Sequence, residues 1–205
     1  MNIPSKRIAN AVESLSSLPG IGKKTALRLA LHILKRPEEE VMEFCDNVYK
    51  MKSESHFCKK CHNISDDILC SICTNPNRNT QQICVVQDIR DVLALESTME
   101  YYGVYHVLGG VISPIDGIGP GDIHLFSLIE RIEKENITEI IFALNPSIEG
   151  DTTTYYISKH LKEKDIKISS LARGIAFGGE LEYTDEFTLA KSLINRQPYG
   201  SLTLK

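Results

Sequence analysis

The sequence has no apolar run long enough to cross a membrane, and residues 1–7 lack the apolar stretch of a secretory signal. We therefore expect a soluble, cytoplasmic protein with no membrane partner. Of the 205 residues, 42% are hydrophobic, which is enough to build a real core. This length suits one large domain or a few small ones.

The chain also lacks an overall excess of basic residues, since its net charge is −4. The charge is unevenly distributed, however. Residues 1–36 contain seven Lys and Arg residues against a single acidic residue, Glu13, so this segment carries +6 and the remainder carries −10. A basic module on an acidic chain is typical of a nucleic-acid contact. A solvated helix face is the alternative explanation.

The basic segment predicts two helices joined by a glycine-rich turn. Residues 7–16 predict the first helix, and the second begins near Lys23, after Pro19. Glycines in such a turn let the backbone approach a phosphate, and the free N–H groups of the second helix point towards it. Contacts of this kind hold DNA by its backbone and read no sequence.

The predicted DNA contacts are Gly20, Gly22, Lys23, Lys24 and Arg28. An ordinary helical hairpin, whose glycines serve only the turn, is the alternative. A P-loop is missing from this segment, because that motif requires Gly where Ser17 stands and Ser or Thr where Lys24 stands.

Four cysteines form the pattern C-x2-C-x8-C-x2-C. They are Cys58, Cys61, Cys70 and Cys73. The polar loop of residues 59–69 has too few apolar residues for a core of its own, and one tetrahedral, structural Zn²⁺ would supply the missing stability. His56 and His62 lie beside the cluster and could replace a cysteine, but four thiolates leave no vacancy. Two disulfides, or a chance cluster of buried thiols, are the alternatives.

The remaining cysteines lie in apolar patterns. Cys45 belongs to a predicted third helix after Pro37, and Cys84 belongs to a short apolar run. Both are expected to be reduced core residues. The third helix has one apolar face, formed by Val41, Phe44, Cys45, Val48 and Met51.

From residue 81 onwards, short apolar strands alternate with helices. The strands are predicted at residues 83–86, 104–108, 139–144 and 166–169, and the helices at 91–99, 124–135 and 152–163. This alternation predicts an α/β layer with a mostly parallel sheet. Ligand chemistry in such sheets gathers at the carboxyl ends of the strands. The glycine-rich loop of residues 109–122 follows the second strand, and it could serve either function or assembly.

A helical hairpin, a four-cysteine knuckle and an α/β unit, in this order, resemble the RecR family of bacterial recombination mediators over almost the whole chain. Besides the knuckle, the stretches that carry the resemblance are residues 18–26, 88–92, 108–114, 172–176 and 178–185. The resemblance implies a multi-domain α/β protein with four parts. These are a helix-hairpin-helix module (1–55), a four-cysteine zinc finger (56–77), a Toprim domain (78–176) and a C-terminal Walker B-like assembly segment (177–205).

The implied Toprim domain departs from the catalytic pattern. Catalytic members have a glutamate where Gln87 stands, and a D-x-D pair where Asn145 and Ser147 stand. Neutral groups hold Mg²⁺ poorly, and glutamine is neither a general acid nor a general base. No catalytic residue is therefore expected. RecR proteins commonly keep a glutamate at the position of Gln87, so this chain departs from the family pattern there. A degenerate site that could hold a partner or a weak metal would comprise Gln87, Asp88, Asn145, Glu149 and Asp151.

The C-terminal segment combines an acidic patch with an apolar helix that contains Phe187, Ala190 and Ile194. Because no Walker A motif accompanies it, we expect this segment to contribute to packing rather than to ATP hydrolysis.

The resemblance implies a non-catalytic clamp that forms dimers and tetrameric rings around DNA. With RecO and RecF, the clamp would help to load RecA onto single strands coated by single-strand binding protein. One alternative is a Mg²⁺-dependent, primase-like or nuclease-like Toprim enzyme, against which Gln87 and Asn145 argue. Another is a zinc-ribbon adaptor that binds only protein, against which the basic segment argues.

Overall fold

The computed structural model describes residues 3–196 and residue 198, so the last part of the predicted segment 177–205 lies outside the described residues. The chain divides into two compact units, Met1–Ser55 and His56–Lys205. Among the described residues, no helix is long and apolar enough to span a membrane.

The first unit contains three helices, α1 (Lys6–Ser16), α2 (Lys23–Ile33) and α3 (Glu38–Glu54). The hydroxyl of Ser5 caps α1 by accepting the N–H of Ile8. α1 and α2 pack against each other through Val12, Ala26 and Ala30, which are all buried. The small alanines of α2 allow the two helices to approach closely.

The third helix keeps its apolar face uncovered. No residue of α3 is buried, and Phe44, Val48 and Met51 are 47%, 49% and 65% exposed. Cys45 is exposed as well. The prediction that Cys45 lies in the core is therefore wrong, because α1 and α2 do not cover this side of α3 within the first unit.

The second unit combines a small hairpin, which carries the four clustered cysteines, with a four-stranded sheet. Its elements are β1 (His56–Phe57), β2 (Ile64–Ser65), α4 (Ser71–Thr74), β3 (Asn79–Val86), α5 (Ile89–Ser97), β4 (Gly103–Val107), α6 (Leu125–Lys134), β5 (Glu139–Ala143), α7 (Ile148–Leu161), β6 (Lys167–Ser170), a 3-10 turn (Leu181–Tyr183) and α8 (Glu186–Ile194). β1 and β2 pair antiparallel.

The four longer strands lie in the order β4-β3-β5-β6, and every neighbouring pair is parallel. This confirms the predicted parallel α/β architecture. Ile83 and Val85 face one side of the sheet, and Cys84 and Val86 face the other. Both sides are covered, which explains why β3 reads as a continuous apolar run and why the prediction of a buried Cys84 is confirmed.

β3 and α7 each begin four residues earlier than the sequence predicted. β3 starts at Asn79 rather than at residue 83, and Arg78 just before it is bound to Glu96 of α5. α7 starts at Ile148 rather than at residue 152, because the hydroxyl of Ser147 accepts the N–H of Gly150 and caps the helix.

Candidate metal centre and nucleic-acid interface

The four cysteines of the knuckle converge on one point. Their sulfur atoms all lie within 4.8 Å of one another, and the sulfurs of Cys61 and Cys70 are 3.5 Å apart. A tetrahedral Zn²⁺ with Zn–S bonds of about 2.3 Å holds its sulfurs about 3.8 Å apart. All four are free thiols, and all except the half-buried Cys73 are buried. The two-disulfide alternative is therefore excluded, and the predicted site for one structural zinc per chain is confirmed.

Hydrogen bonds within the cluster shift the pKa values of its thiols. The bonds from Cys61 and Cys73 hold the pKa of the Cys70 thiol well below its usual range. The same bond to Cys70, together with the bond to Cys73 and burial, raises the pKa of Cys61. A divalent cation held by the four sulfurs would supply the positive charge that keeps them deprotonated.

The knuckle is attached to the edge of the sheet. The carbonyl of Cys61 accepts the N–H of Val107, the last residue of β4, at 2.8 Å. The ammonium group of Lys60 lies 3.1 Å from a carboxylate oxygen of Glu135. Ile72 packs against both the cysteine cluster and the adjacent face of the sheet. A folded knuckle therefore covers part of β4.

His62 faces the sheet domain and not the sulfur cluster. Its ring stacks on that of His124, with centroids 3.8 Å apart, and its Nε2 lies 2.9 Å from the hydroxyl oxygen of Ser127. Burial lowers the pKa of His62, and the nearby His124 and Arg131 reinforce this effect. Its ring is thus occupied in joining the knuckle to the sheet domain.

The helical hairpin of the first unit presents an open backbone. Gly20 has a left-handed backbone, with φ of +78°, and Gly22 precedes α2 without a side chain to cap it. Apart from the residues directly before and after each glycine, no atom of the described chain lies within 4 Å of a Cβ built on it. Since the first N–H groups of a helix have no partner within that helix, the start of α2 is accessible to an anion.

The first two turns of α2 carry three basic residues. Lys23, Lys24 and Arg28 are exposed, and none of them forms an ion pair in the described part of the chain. Their charges are therefore not neutralised by neighbouring carboxylates.

At the sheet, Gln87 follows β3 and Asn145 follows β5. The amide nitrogen of Asn145 donates to the side-chain oxygen of Gln87 at 3.1 Å. This contact joins the carboxyl ends of β3 and β5, the point at which the strand order of the sheet reverses. Ligands of open α/β sheets typically bind at such a point. Two amides bound to each other fill the place where carboxylates would hold a metal.

The first turn of α7 packs closely against the backbone of Asn145. A Cβ on Gly150 would lie 2.1 Å from the carbonyl oxygen of Asn145, so only glycine fits. Ser147 uses its hydroxyl to cap the same turn. The residue that replaces the second aspartate of the catalytic pattern thus has a structural role.

Two of the three acidic residues of the degenerate site pair with arginines. Asp88 caps α5 and binds Arg90, whose hydrogen bond lowers the pKa of that carboxyl. Asp151 accepts two hydrogen bonds from Arg173, at 3.1 and 2.5 Å, and Arg173 likewise lowers its pKa. Glu149 is half-buried. Among the described residues, the four cysteines are the one group of three or more His, Cys, Asp or Glu side chains whose ligand atoms converge.

Sequence reasoning gave no role to Arg173 or to the pairing of His62 with His124. Each contact joins residues more than twenty positions apart. Neither contact leaves a spacing or periodicity in the sequence by which it could have been found. Only the fold reveals these contacts.

The comparisons with protein families match four parts of the chain. The matching family models are those of the RecR helix-hairpin-helix (residues 8–50), the RecR four-cysteine zinc finger domain (56–75), the Toprim domain (81–172) and the RecR C-terminal region (174–197). They follow the order of the modules described above.

Whole proteins match as well. The chain is 54% identical to the recombination protein RecR of Amoebophilus asiaticus, over 97% of this chain and 100% of that protein. It is 52% identical to the protein of the same name from Flavobacterium johnsoniae, over 97% of both chains. The corresponding protein of Bacteroides fragilis is 50% identical over 96% of both.

Proposed function

This chain belongs to the RecR family of recombination proteins that act in DNA repair, and from that membership we propose that it is a non-catalytic DNA clamp. In this proposal the clamp acts in the cytoplasm with RecO and RecF, and it helps to load RecA onto single strands coated by single-strand binding protein. The observation that carries the proposal is the accessible, basic helical hairpin of the first unit.

The proposed DNA contact combines the backbone of the hairpin with its cations. The open N–H groups that follow Gly22 would bind a phosphate, and Lys23, Lys24 and Arg28 would neutralise its neighbours. Gly20 supplies the left-handed turn that exposes this backbone. Because the contacts reach only phosphates, binding would not depend on base sequence.

Replacing Lys23, Lys24 and Arg28 together by alanine tests this contact. We expect weaker binding to every DNA sequence and a shallower salt dependence, since each lost phosphate contact reduces the log–log slope by about 0.7 to 0.9. Fluorescence anisotropy with labelled oligonucleotides over a salt series measures both quantities.

A matched control removes three exposed cations elsewhere, Lys52, Lys159 and Lys162. This control variant should keep the affinity and salt slope of the natural protein. Equal affinity of the hairpin variant and the natural protein would rule out the proposed DNA contact.

The proposed lack of catalysis is supported by the Gln87–Asn145 contact at the sheet edge. Incubation with supercoiled plasmid and Mg²⁺ should give a salt-sensitive gel shift that disappears when the protein is removed, with unchanged plasmid topology. Nicked or relaxed plasmid would instead favour the alternative of a Mg²⁺-dependent Toprim enzyme.

Self-assembly into dimers and tetrameric rings is supported by uncovered apolar side chains. α3 exposes Phe44, Val48 and Met51, and the C-terminal region exposes Phe177 and Leu193. Exposed apolar patches of this kind typically mark protein contacts. Sedimentation velocity of the natural protein and of a Val48→Asp variant tests whether α3 contributes.

The acidic edge near Glu149 and Asp151 is the proposed docking place for RecO. Glu149→Ala should weaken RecO binding, whereas Glu163→Ala, at an exposed position after α7, should not. Asp151→Ala is also expected to weaken it, but that change additionally releases Arg173. Surface plasmon resonance with immobilised RecO measures all three.

A further inference from the structure

A cavity of about 450 Å³ opens at the carboxyl end of β5, within the second unit. α5 contributes Ala94 and Leu95 to its wall, the segment after β5 contributes Leu144, and α8 contributes Phe187 and Lys191. The volume lies in the range of about 300 to 1,000 Å³ that is typical of small-molecule sites. Neither the proposed DNA contact nor the zinc site uses this cavity.

The wall is largely apolar, with a few polar groups. Thr154 and Ser170 are among the residues that line the cavity, and the hydroxyl of neither forms a hydrogen bond to another group of the described chain. Asn145 also lines it, and its amide nitrogen is held by Gln87. An apolar site with a few placed polar groups is the common composition of a ligand site.

Two cations, Lys191 and Arg173, and one carboxylate, that of Asp91, line the cavity. The ammonium group of Lys191 lies 5.6 Å from the ring centre of Phe187 and forms no ion pair in the described part of the chain. Arg173 is held in place by Asp151, which uses two of its N–H groups and leaves the others available. Asp91 is the acidic lining residue, and its carboxylate already accepts the N–H of Asp88.

The ammonium group of Lys191 lies over one face of the Phe187 ring, so a ligand would use the opposite face. Phe187 is 66% exposed and precedes Lys191 by one helical turn. A flat ring can stack on such a face, while a phosphate attached to it meets the ammonium and guanidinium groups. The cavity also adjoins the strand ends, where α/β sheets bind their ligands.

We propose that this cavity binds a nucleotide, with the base against Phe187 and the phosphate against Lys191 and Arg173. The same chemistry is offered by a free nucleotide and by one unit of a single strand of DNA. The proposal is independent of the DNA contact at the helical hairpin, because the cavity lies in the other unit.

Isothermal titration of the full-length protein with adenosine 5′-monophosphate tests the proposal. We expect one molecule bound per chain. Lys191→Ala should weaken binding about tenfold, which is the loss expected for one charge-assisted contact. Phe187→Ala should weaken the binding of both the nucleotide and adenosine. Lys162→Ala, at an exposed lysine remote in sequence, should change neither.

A second arm identifies the source of the nucleotide. An oligothymidylate that displaces the monophosphate from both the natural protein and the triple hairpin variant would assign the cavity to single-stranded DNA. Simultaneous binding of the oligonucleotide and the monophosphate would assign it to a free nucleotide. The triple hairpin variant, in which Lys23, Lys24 and Arg28 are alanine, lacks the proposed DNA contact of the first unit. Its binding of the monophosphate therefore tests the cavity separately from that contact.

No heat of binding with the natural protein would overturn the proposal. So would equal affinity of the natural protein and the Lys191→Ala variant. If Phe187→Ala instead changes the sedimentation coefficient while the nucleotide fails to bind, the cavity belongs to a contact between two copies of the chain, and the proposal is wrong.

Discussion

His106 should make this protein lose stability as the pH falls through the range in which histidine normally gains a proton. Its side chain is fully buried in β4, and its Nε2 donates to the carbonyl oxygen of His124 at 2.8 Å. Its Nδ1 is buried and has no partner in the described chain. A second proton on the ring would therefore have no acceptor, and it would also face Arg131 and His62.

The magnitude follows from the two protonation equilibria. Burial lowers the pKa of His106 to about 3 in the folded chain, whereas an unfolded histidine has a pKa of about 6.5. Below about pH 6.5 the unfolded chain binds a proton that the folded chain does not, so stability falls with falling pH. At about pH 5 this single residue should cost about 2 kcal/mol relative to neutral pH, and the loss continues towards pH 3.

Urea unfolding of the natural protein and of a His106→Gln variant, at about pH 7 and about pH 5 with excess Zn²⁺, measures this contribution. Glutamine can donate to the same carbonyl and does not titrate, so the variant should lose about 2 kcal/mol less between the two pH values. His160→Gln, at an exposed position on α7, is the control and should lose as much as the natural protein. The reasoning is refuted if the His106→Gln variant loses equally, or if the His106 ring, followed by NMR, titrates near its usual pKa.

Two other changes have expected outcomes that follow from close contacts. Cys70→Ala should reduce zinc content below one ion per chain in elemental analysis and lower the melting temperature, since structural zinc contributes on the order of 10 kcal/mol; Cys45→Ala, at the exposed cysteine, should keep a full zinc complement. Gly150→Ala should reduce the free energy of unfolding by about 1 to 3 kcal/mol, because its Cβ meets the Asn145 carbonyl at 2.1 Å. Gly121→Ala, where a Cβ meets nothing within 4 Å, should have little effect in the same urea titration.

The features that could be predicted from the sequence are those with a local signal. Cysteine spacing indicated the metal cluster, because two C-x2-C pairs restrict where their thiolates can point. The run from residue 83 to 86 indicated a strand buried on both faces. Pro19 and the following glycines indicated the turn between α1 and α2.

Other features depended on contacts between distant positions. The start of α7 was placed too late, because residues 148–151 lack apolar periodicity and the cap at Ser147 determines the boundary. The apolar pattern of α3 suggested burial, but periodicity shows only that a face is apolar and not what covers it. The pairing of Asp151 with Arg173 depends on the return of the chain after β6.

The hydrogen bond between Cys61 and Val107 also bears on how a shortage of zinc would affect this protein in a cell. An unprotected strand at the edge of a sheet can recruit strands of other molecules. If the knuckle unfolds, the N–H of Val107 at the end of β4 loses its partner, and the neighbouring apolar residue Ile72 is released from the cysteine cluster. We therefore expect zinc starvation to lower the soluble amount of this protein through aggregation, before any loss of DNA affinity per folded molecule.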